Sequence, residues 1–126
     1  MTRVLLVDDQ LRYRRQLRQL VIHAGLDVVG EAGDIPTAEA LVQSLQPDLV
    51  VVDIMLPGIN GLEGTRRLKA LVPCLRVILV SAYRDHAEVY RAAAEQAGAE
   101  AFISKDEIDL NLIRAWKEQE RGVMDG

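Results

Sequence analysis

Residues 49–61 read LVVVDIMLPGING, and the carboxylate in their middle decides how the chain is read. Leu49, Val50, Val51 and Val52 form an unbroken apolar run of the kind buried on both faces of a parallel sheet. Asp53 interrupts it. Ile54, Met55 and Leu56 then restore the apolar character before Pro57, Gly58, Asn60 and Gly61 turn the chain. An aspartate that merely forms a turn opens it, whereas this one stands three apolar residues ahead. A carboxylate fixed at the end of a buried strand needs a chemical reason.

Working outward, four more apolar runs recur at similar spacing: VLLV (4–7), LDVVGEA (26–32), RVILV (76–80) and EAFI (100–103). Helical periodicity fills the gaps. Residues 10–24 set Tyr13, Leu17, Leu20 and Val21 on one face, with Gly25 as a stop. Residues 34–45 do the same with Ala38, Leu41, Val42 and Leu45, and residues 61–72 with Leu62, Thr65, Leu68 and Val72 before Pro73. Residues 84–97 use Val89, Ala93 and Ala97 before Gly98. Residues 106–119 use Ile108, Leu112 and Trp116, with Asp106 as the expected N-cap. Five strands alternating with five helices predict right-handed crossovers and a parallel sheet covered on both faces.

Composition narrows the class. A chain of 126 residues, 49% hydrophobic and 27% charged, suits one globular domain. No apolar run reaches membrane-helix length, and the start MTRVLLVDDQ meets acids too early for a signal peptide. The one cysteine, Cys74, rules out an internal disulfide and fits a reducing, cytoplasmic setting. Net charge −4 and a pI near 5.1 argue against this domain gripping nucleic acid by its own field.

In such folds ligands gather outside the carboxyl ends of the strands. Strand one ends in Asp8 and Asp9, strand three in Asp53, strand four in Ser81, and strand five near Phe102 with Ser104 and Lys105 beyond it. Three crowded carboxylates raise one another's pKa unless a counter-charge intervenes. A divalent cation provides one, and all-oxygen ligands favour Mg²⁺ or Mn²⁺. Lys105 adds an ammonium and Ser81 a hydroxyl donor. Together these groups suit transfer of a phosphoryl group, with Asp53 as a nucleophile able to hold it as an acyl phosphate.

Other residues have plainer readings. His23 and His86 lack partners at ligand spacing and read as bystanders. Cys74 reads as a packed thiol, and Trp116 as an anchor for the last helix. Arg12, Arg14, Arg15 and Arg18 form either a solvated face or a docking patch on the first helix. No phosphate-binding Gly-rich motif occurs, and no insertion offers the cap of a phosphohydrolase.

The pattern Asp8–Asp9, Asp53 in VVDIMLPGINGLE, Ser81–Ala82 and Lys105 in GAEAFISKD resembles the receiver domain of two-component response regulators over essentially the whole chain. The resemblance implies a flavodoxin-like (βα)5 three-layer sandwich with sheet order 2-1-3-4-5. It implies that Asp53 accepts a phosphoryl group from a sensor histidine kinase or phosphotransfer protein. Asp8, Asp9, Asp53 and the Met55 backbone carbonyl would hold Mg²⁺, Lys105 would contact the phosphoryl oxygens, and Ser81 and Phe102 would reorient as the switch. By the same resemblance, kinases dock over the first helix.

Lys105–Asp106, where many receivers have lysine–proline, is similar to the NarL/FixJ type, whose intact chains carry a C-terminal DNA-binding module. Residues 1–119 are thus expected to form the receiver, and 120–126 a tail or the start of a linker to an output domain absent from this sequence. Such a chain is a signalling switch rather than an enzyme. Phosphorylation would redirect partner binding or drive homodimerisation, with transcriptional regulation as the expected output. The alternative is a stand-alone receiver acting through protein contacts or in a phosphorelay. Met55 and Tyr83, each two residues past a site residue, are expected to shield the acyl phosphate from water.

Overall fold

The computed structural model describes residues 1–82 and 86–121. The strands are β1 (Arg3–Val7), β2 (Asp27–Ala32), β3 (Leu49–Asp53), β4 (Arg76–Ser81) and β5 (Ala101–Ser104). They alternate with α1 (Leu11–His23), α2 (Ile35–Leu45), α3 (Gly61–Leu71), α4 (Ala87–Ala97) and α5 (Leu110–Arg121). All pairings are parallel and the sheet order is 2-1-3-4-5. The flavodoxin-like architecture expected from the sequence is the one that forms.

Strand periodicity explains the three layers. Successive side chains leave a strand on opposite faces. One face of the sheet carries Leu5, Val7, Val50, Val52, Val77 and Leu79 against Ile35, Ala38 and Val42 of α2, Leu68 of α3 and Ala94 of α4. The other carries Val4, Leu6, Leu49, Val51, Ile78 and Val80 against Leu17 and Val21 of α1 and Ile113 and Trp116 of α5. The unbroken apolar runs of β1, β3 and β4 follow from burial on both sides. At the sheet edge, β2 is only partly buried and its pairing with β1 shifts register between Val4 and Leu5.

Local signals set most helix starts. The Asp34 carboxylate accepts from the Thr37 N–H at 2.9 Å ahead of α2, and Asn60 Oδ1 accepts from Glu63 N–H at 2.9 Å ahead of α3. At α1 the N-cap is Gln10, with no side-chain capping bond. Asp8 and Asp9 therefore do not cap that helix.

Three expectations need correction. Asp106 does not cap the last helix. It lies in a 3₁₀ turn over Lys105–Glu107, and α5 starts after Asp109, whose Oδ1 accepts from Leu112 N–H at 2.9 Å. The Glu107 carboxylate bonds back to the Ser104 N–H at 3.3 Å, tightening that turn before the α-helix begins. The inner face of α4 is Tyr90, Ala94 and Ala97, not one led by Val89, which is 66% exposed. Tyr90 wins the inward position because its ring packs on Phe102, with centroids 6.2 Å apart. Cys74 is exposed rather than packed, in the turn that follows Pro73. Tyr83 and the tail beyond 121 lie outside the described residues.

Candidate functional site

Sheet order determines where a crevice opens. The chain leaves β1 toward β2 on one side and returns through β3 on the other, so the carboxyl ends of β1 and β3 form the switch point. Register then aligns the functional residues. Val7 pairs with Val52, Asp53 with Val80 and Ser81 with Ser104, so Asp8, Asp53, Ser81 and Lys105 emerge along one edge.

Asp8, Asp9 and Asp53 each offer a carboxylate oxygen within 4.8 Å of the others. Asp8 is 2% and Asp53 3% exposed, while Asp9 faces solvent. Local backbone bonds fix the two buried groups. Asp8 Oδ1 accepts from the Gln10 N–H at 2.8 Å, and Asp53 Oδ1 accepts from the Met55 N–H at 3.0 Å. Lys105 reaches in from the end of β5, its Nζ 3.1 Å from Asp53 Oδ2 and 2.7 Å from Asp8 Oδ2. The second contact is an ion pair off hydrogen-bond alignment, so Asp8 Oδ2 is buried with no hydrogen bond directed at it.

Electrostatics follow from crowding. Burial pushes the Asp53 carboxyl above the ordinary carboxylate range; the Met55 N–H and Lys105 pull it back, and the Asp8 charge adds to the rise. Burial, with Asp8 and Asp53 behind it, also pushes the Tyr13 phenol up, so that it stays neutral. Among the described residues, three carboxylates gather around one ammonium, an excess of negative charge. The donor set is all oxygen, and one buried oxygen lacks an aligned donor. These residues fit a hard divalent cation.

The other expected residues fall into place unevenly. Ser81 is fully buried at the end of β4. Phe102, 8% exposed, lies on the face covered by α4, with the Arg91 guanidinium 5.9 Å from its ring. Met55 stands 52% exposed at the mouth of the site. The arginine cluster divides. Arg14 bonds Glu31 at 2.8 Å and the Asp8 carbonyl at 2.7 Å, and Arg18 meets Glu31 at 3.0 Å. Arg12 and Arg15 remain on the exposed face of α1 beside Leu11, Gln16 and Gln19.

Several residues around the site escaped the sequence reading. Gly61 lies under Asp53, where an added Cβ would meet the Asp53 carbonyl oxygen at 2.4 Å and Ile54 Cα at 2.7 Å. A glycine opening a helix was the available signal, although it read only as part of a turn. Arg14 anchors the peptide of Asp8, and Gln10 Oε1 lies 3.4 Å from Lys105 Nζ. The Tyr13 ring sits under the Lys105 ammonium, 4.2 Å from Nζ to centroid. Nothing in the sequence marked the two Lys105 contacts, because both join segments far apart in the chain.

Comparison with known proteins agrees with this geometry. A family model described as the response regulator receiver domain matches residues 4–117. The DNA-binding transcriptional activator DevR/DosR of Mycobacterium tuberculosis is 39% identical over 119 residues, covering 94% of this chain but 54% of the activator. The chain thus spans about half the length of that relative. The chemotaxis protein CheY of Thermotoga maritima is 36% identical over 103 residues, covering 82% of this chain and 84% of that protein. Among solved structures, a LuxR-family two-component response regulator from Aurantimonas sp. SI85-9A1 superposes with a TM-score of 0.86 at 31% identity, covering 97% of this chain and 87% of the other. No helix among the described residues is long and apolar enough to cross a membrane.

Proposed function

Because the chain belongs to the response regulator receiver family, we propose that Asp53 is its phosphoacceptor and that a partner histidine kinase or phosphotransfer protein supplies the phosphoryl group. The observation that carries this reading is the single edge where Asp8, Asp9, Asp53 and Lys105 meet. One oxygen of Asp53 attacks the phosphorus of a phosphohistidine, forming a P–O bond as the P–N bond breaks, and the imidazole leaves. Asp8, Asp9 and Asp53, with the Met55 carbonyl, would hold Mg²⁺ or Mn²⁺. When bound, that cation neutralises charge on the phosphoryl oxygens. The Lys105 ammonium, already between Asp8 and Asp53, contacts a phosphoryl oxygen and stabilises charge in transfer.

The product is a conformation rather than a released metabolite, so the domain acts as a switch and not as an enzyme. The phosphoryl group draws Ser81 toward it and Phe102 shifts in its pocket. Phe102 touches Tyr90 and lies near Arg91, so its movement repacks the outer face of α4 and β5. That change alters partner binding or drives homodimerisation. Residues 1–119 constitute the receiver, and 120–126 a C-terminal tail or the start of a linker to an output domain. The similarity to the DNA-binding activator DevR/DosR supports transcriptional output through that domain, and the proposed setting is the cytoplasm. The match to CheY of Thermotoga maritima over 84% of that protein supports a second reading, a stand-alone receiver acting by protein contacts.

Incubation with a small-molecule phosphodonor and Mg²⁺, followed by intact-mass measurement, tests the acceptor. Wild type gains one phosphoryl group, whereas Asp53→Asn or removal of the metal abolishes the gain. Equal labelling of Asp53→Asn overturns the assignment.

A further inference from the structure

We propose that Tyr13 is a positioning residue for Lys105: its ring forms the floor that holds the lysine ammonium over the acidic pair. The inference rests on the reading of Asp53 as acceptor and Lys105 as its phosphoryl contact.

Lys105 leaves β5 on a flexible four-carbon stem whose ammonium is a compact, strongly hydrated charge. Left to itself, such a side chain favours solvent. Here its side chain is only 9% exposed, and four groups hold it inward. Asp8 and Asp53 attract it at 2.7 and 3.1 Å, Gln10 Oε1 lies 3.4 Å away, and the Tyr13 ring faces it at 4.2 Å.

The carboxylates and the ring do different work. Any cation near the carboxylates competes with Lys105 for them, and a divalent cation competes strongly. The face of a neutral aromatic ring attracts an ammonium without attracting phosphate, and no metal ligand is lost to it. The ring contact therefore persists when the carboxylates are shared with a metal. It keeps Nζ at the site edge, within reach of an incoming phosphoryl oxygen.

Tyr13 is itself well placed to be a fixed floor. It sits in the first turn of α1, four residues before the fully packed Leu17, on the face that covers the sheet. The next residue, Arg14, ties the same turn to the Asp8 carbonyl at 2.7 Å and to Glu31 at 2.8 Å. The ring is thereby registered against β1, and Lys105 against the ring. The distance between nucleophile and ammonium is then set by two rigid elements rather than by a mobile stem.

The test combines a spectroscopic signature with a double-mutant cycle. In metal-free, unphosphorylated protein, the Lys105 ε-methylene protons are expected upfield of the other lysines because they adjoin the ammonium that sits over the ring. Tyr13→Leu removes that shift and Tyr13→Phe keeps it. With a small-molecule phosphodonor and Mg²⁺, Tyr13→Leu slows labelling about three- to tenfold, and the conservative Tyr13→Phe restores most of the rate. In a Lys105→Met background, Tyr13→Leu adds no further loss. An ordinary Lys105 shift in wild type, or an equal loss from Tyr13→Leu with and without Lys105, overturns the proposal. Labelling of Asp53→Asn would instead overturn the acceptor assignment while leaving the resonance test intact.

Discussion

The two ends of the sheet are built from the same kinds of side chain but balance them differently. At the amino end, charges close on one another. Arg76, opening β4, holds Glu100 before β5 through two hydrogen bonds of 2.8 and 2.7 Å. Arg3, opening β1, donates its backbone N–H to Asp48 at 2.8 Å and its guanidinium to the Gln46 carbonyl at 2.7 Å. At the carboxyl end, Asp8 and Asp53 share the ammonium of Lys105, with the Asp9 carboxylate beside them. The amino end is paired within the chain, although Arg76 Nη1 is buried with no hydrogen-bond partner. Among the described residues the carboxyl end gathers more negative charge than positive, and that imbalance separates a binding edge from a structural one.

The steepest way to break the comparison is through the backbone that carries Asp53. Gly61→Ala places a Cβ against the Asp53 carbonyl and Ile54, both main chain, so neither can yield as a flexible side chain would. It should cost about 3 kcal/mol in denaturant melts and lower phosphodonor labelling through displacement of Asp53.

A smaller effect has the opposite sign. The Asp53 carboxyl is raised by burial, so the folded state holds that proton more tightly than the unfolded state does. Stability therefore falls as pH climbs from the ordinary carboxylate range through the raised value. Without metal, Asp53→Asn should stabilise the protein near pH ~7, an advantage that closes toward about pH 3. Melts of both proteins at the two pH values check it; a constant or inverted difference would refute the crowding account.

The smallest effect belongs to the balanced end. Glu100→Ala removes a carboxylate whose side chain is 31% accessible, so the loss should stay near about 1 kcal/mol and shrink with added salt. Its labelling should match wild type. A labelling defect there would show that the two ends are not independent.

Much of this was legible before any coordinates. Apolar runs at regular spacing declared the sheet, because strands buried on both faces cannot alternate with polar residues. Asp53 declared the site by interrupting such a run. What stayed hidden depends on contacts between distant segments. Val89 and Tyr90 are both apolar enough to face inward, and only the ring of Phe102 decides between them. Asp106 and Asp109 are equal as cap formers, and the tightened turn after Ser104 gives the role to Asp109. Cys74 looked packable by composition, yet the turn carries it outward. Tyr13 fitted the core face of its helix, and the Lys105 that completes its role lies at the far end of the chain.

The central claim is that the unbalanced carboxyl end receives a phosphoryl group on Asp53. Borohydride reduction of phosphodonor-treated protein, followed by peptide mass spectrometry, reads it most directly, because an acyl phosphate is reduced to the alcohol. The account predicts homoserine in place of Asp53, formed only with Mg²⁺ present. Homoserine in place of Asp8 or Asp9, or none at all in labelled protein, would contradict it.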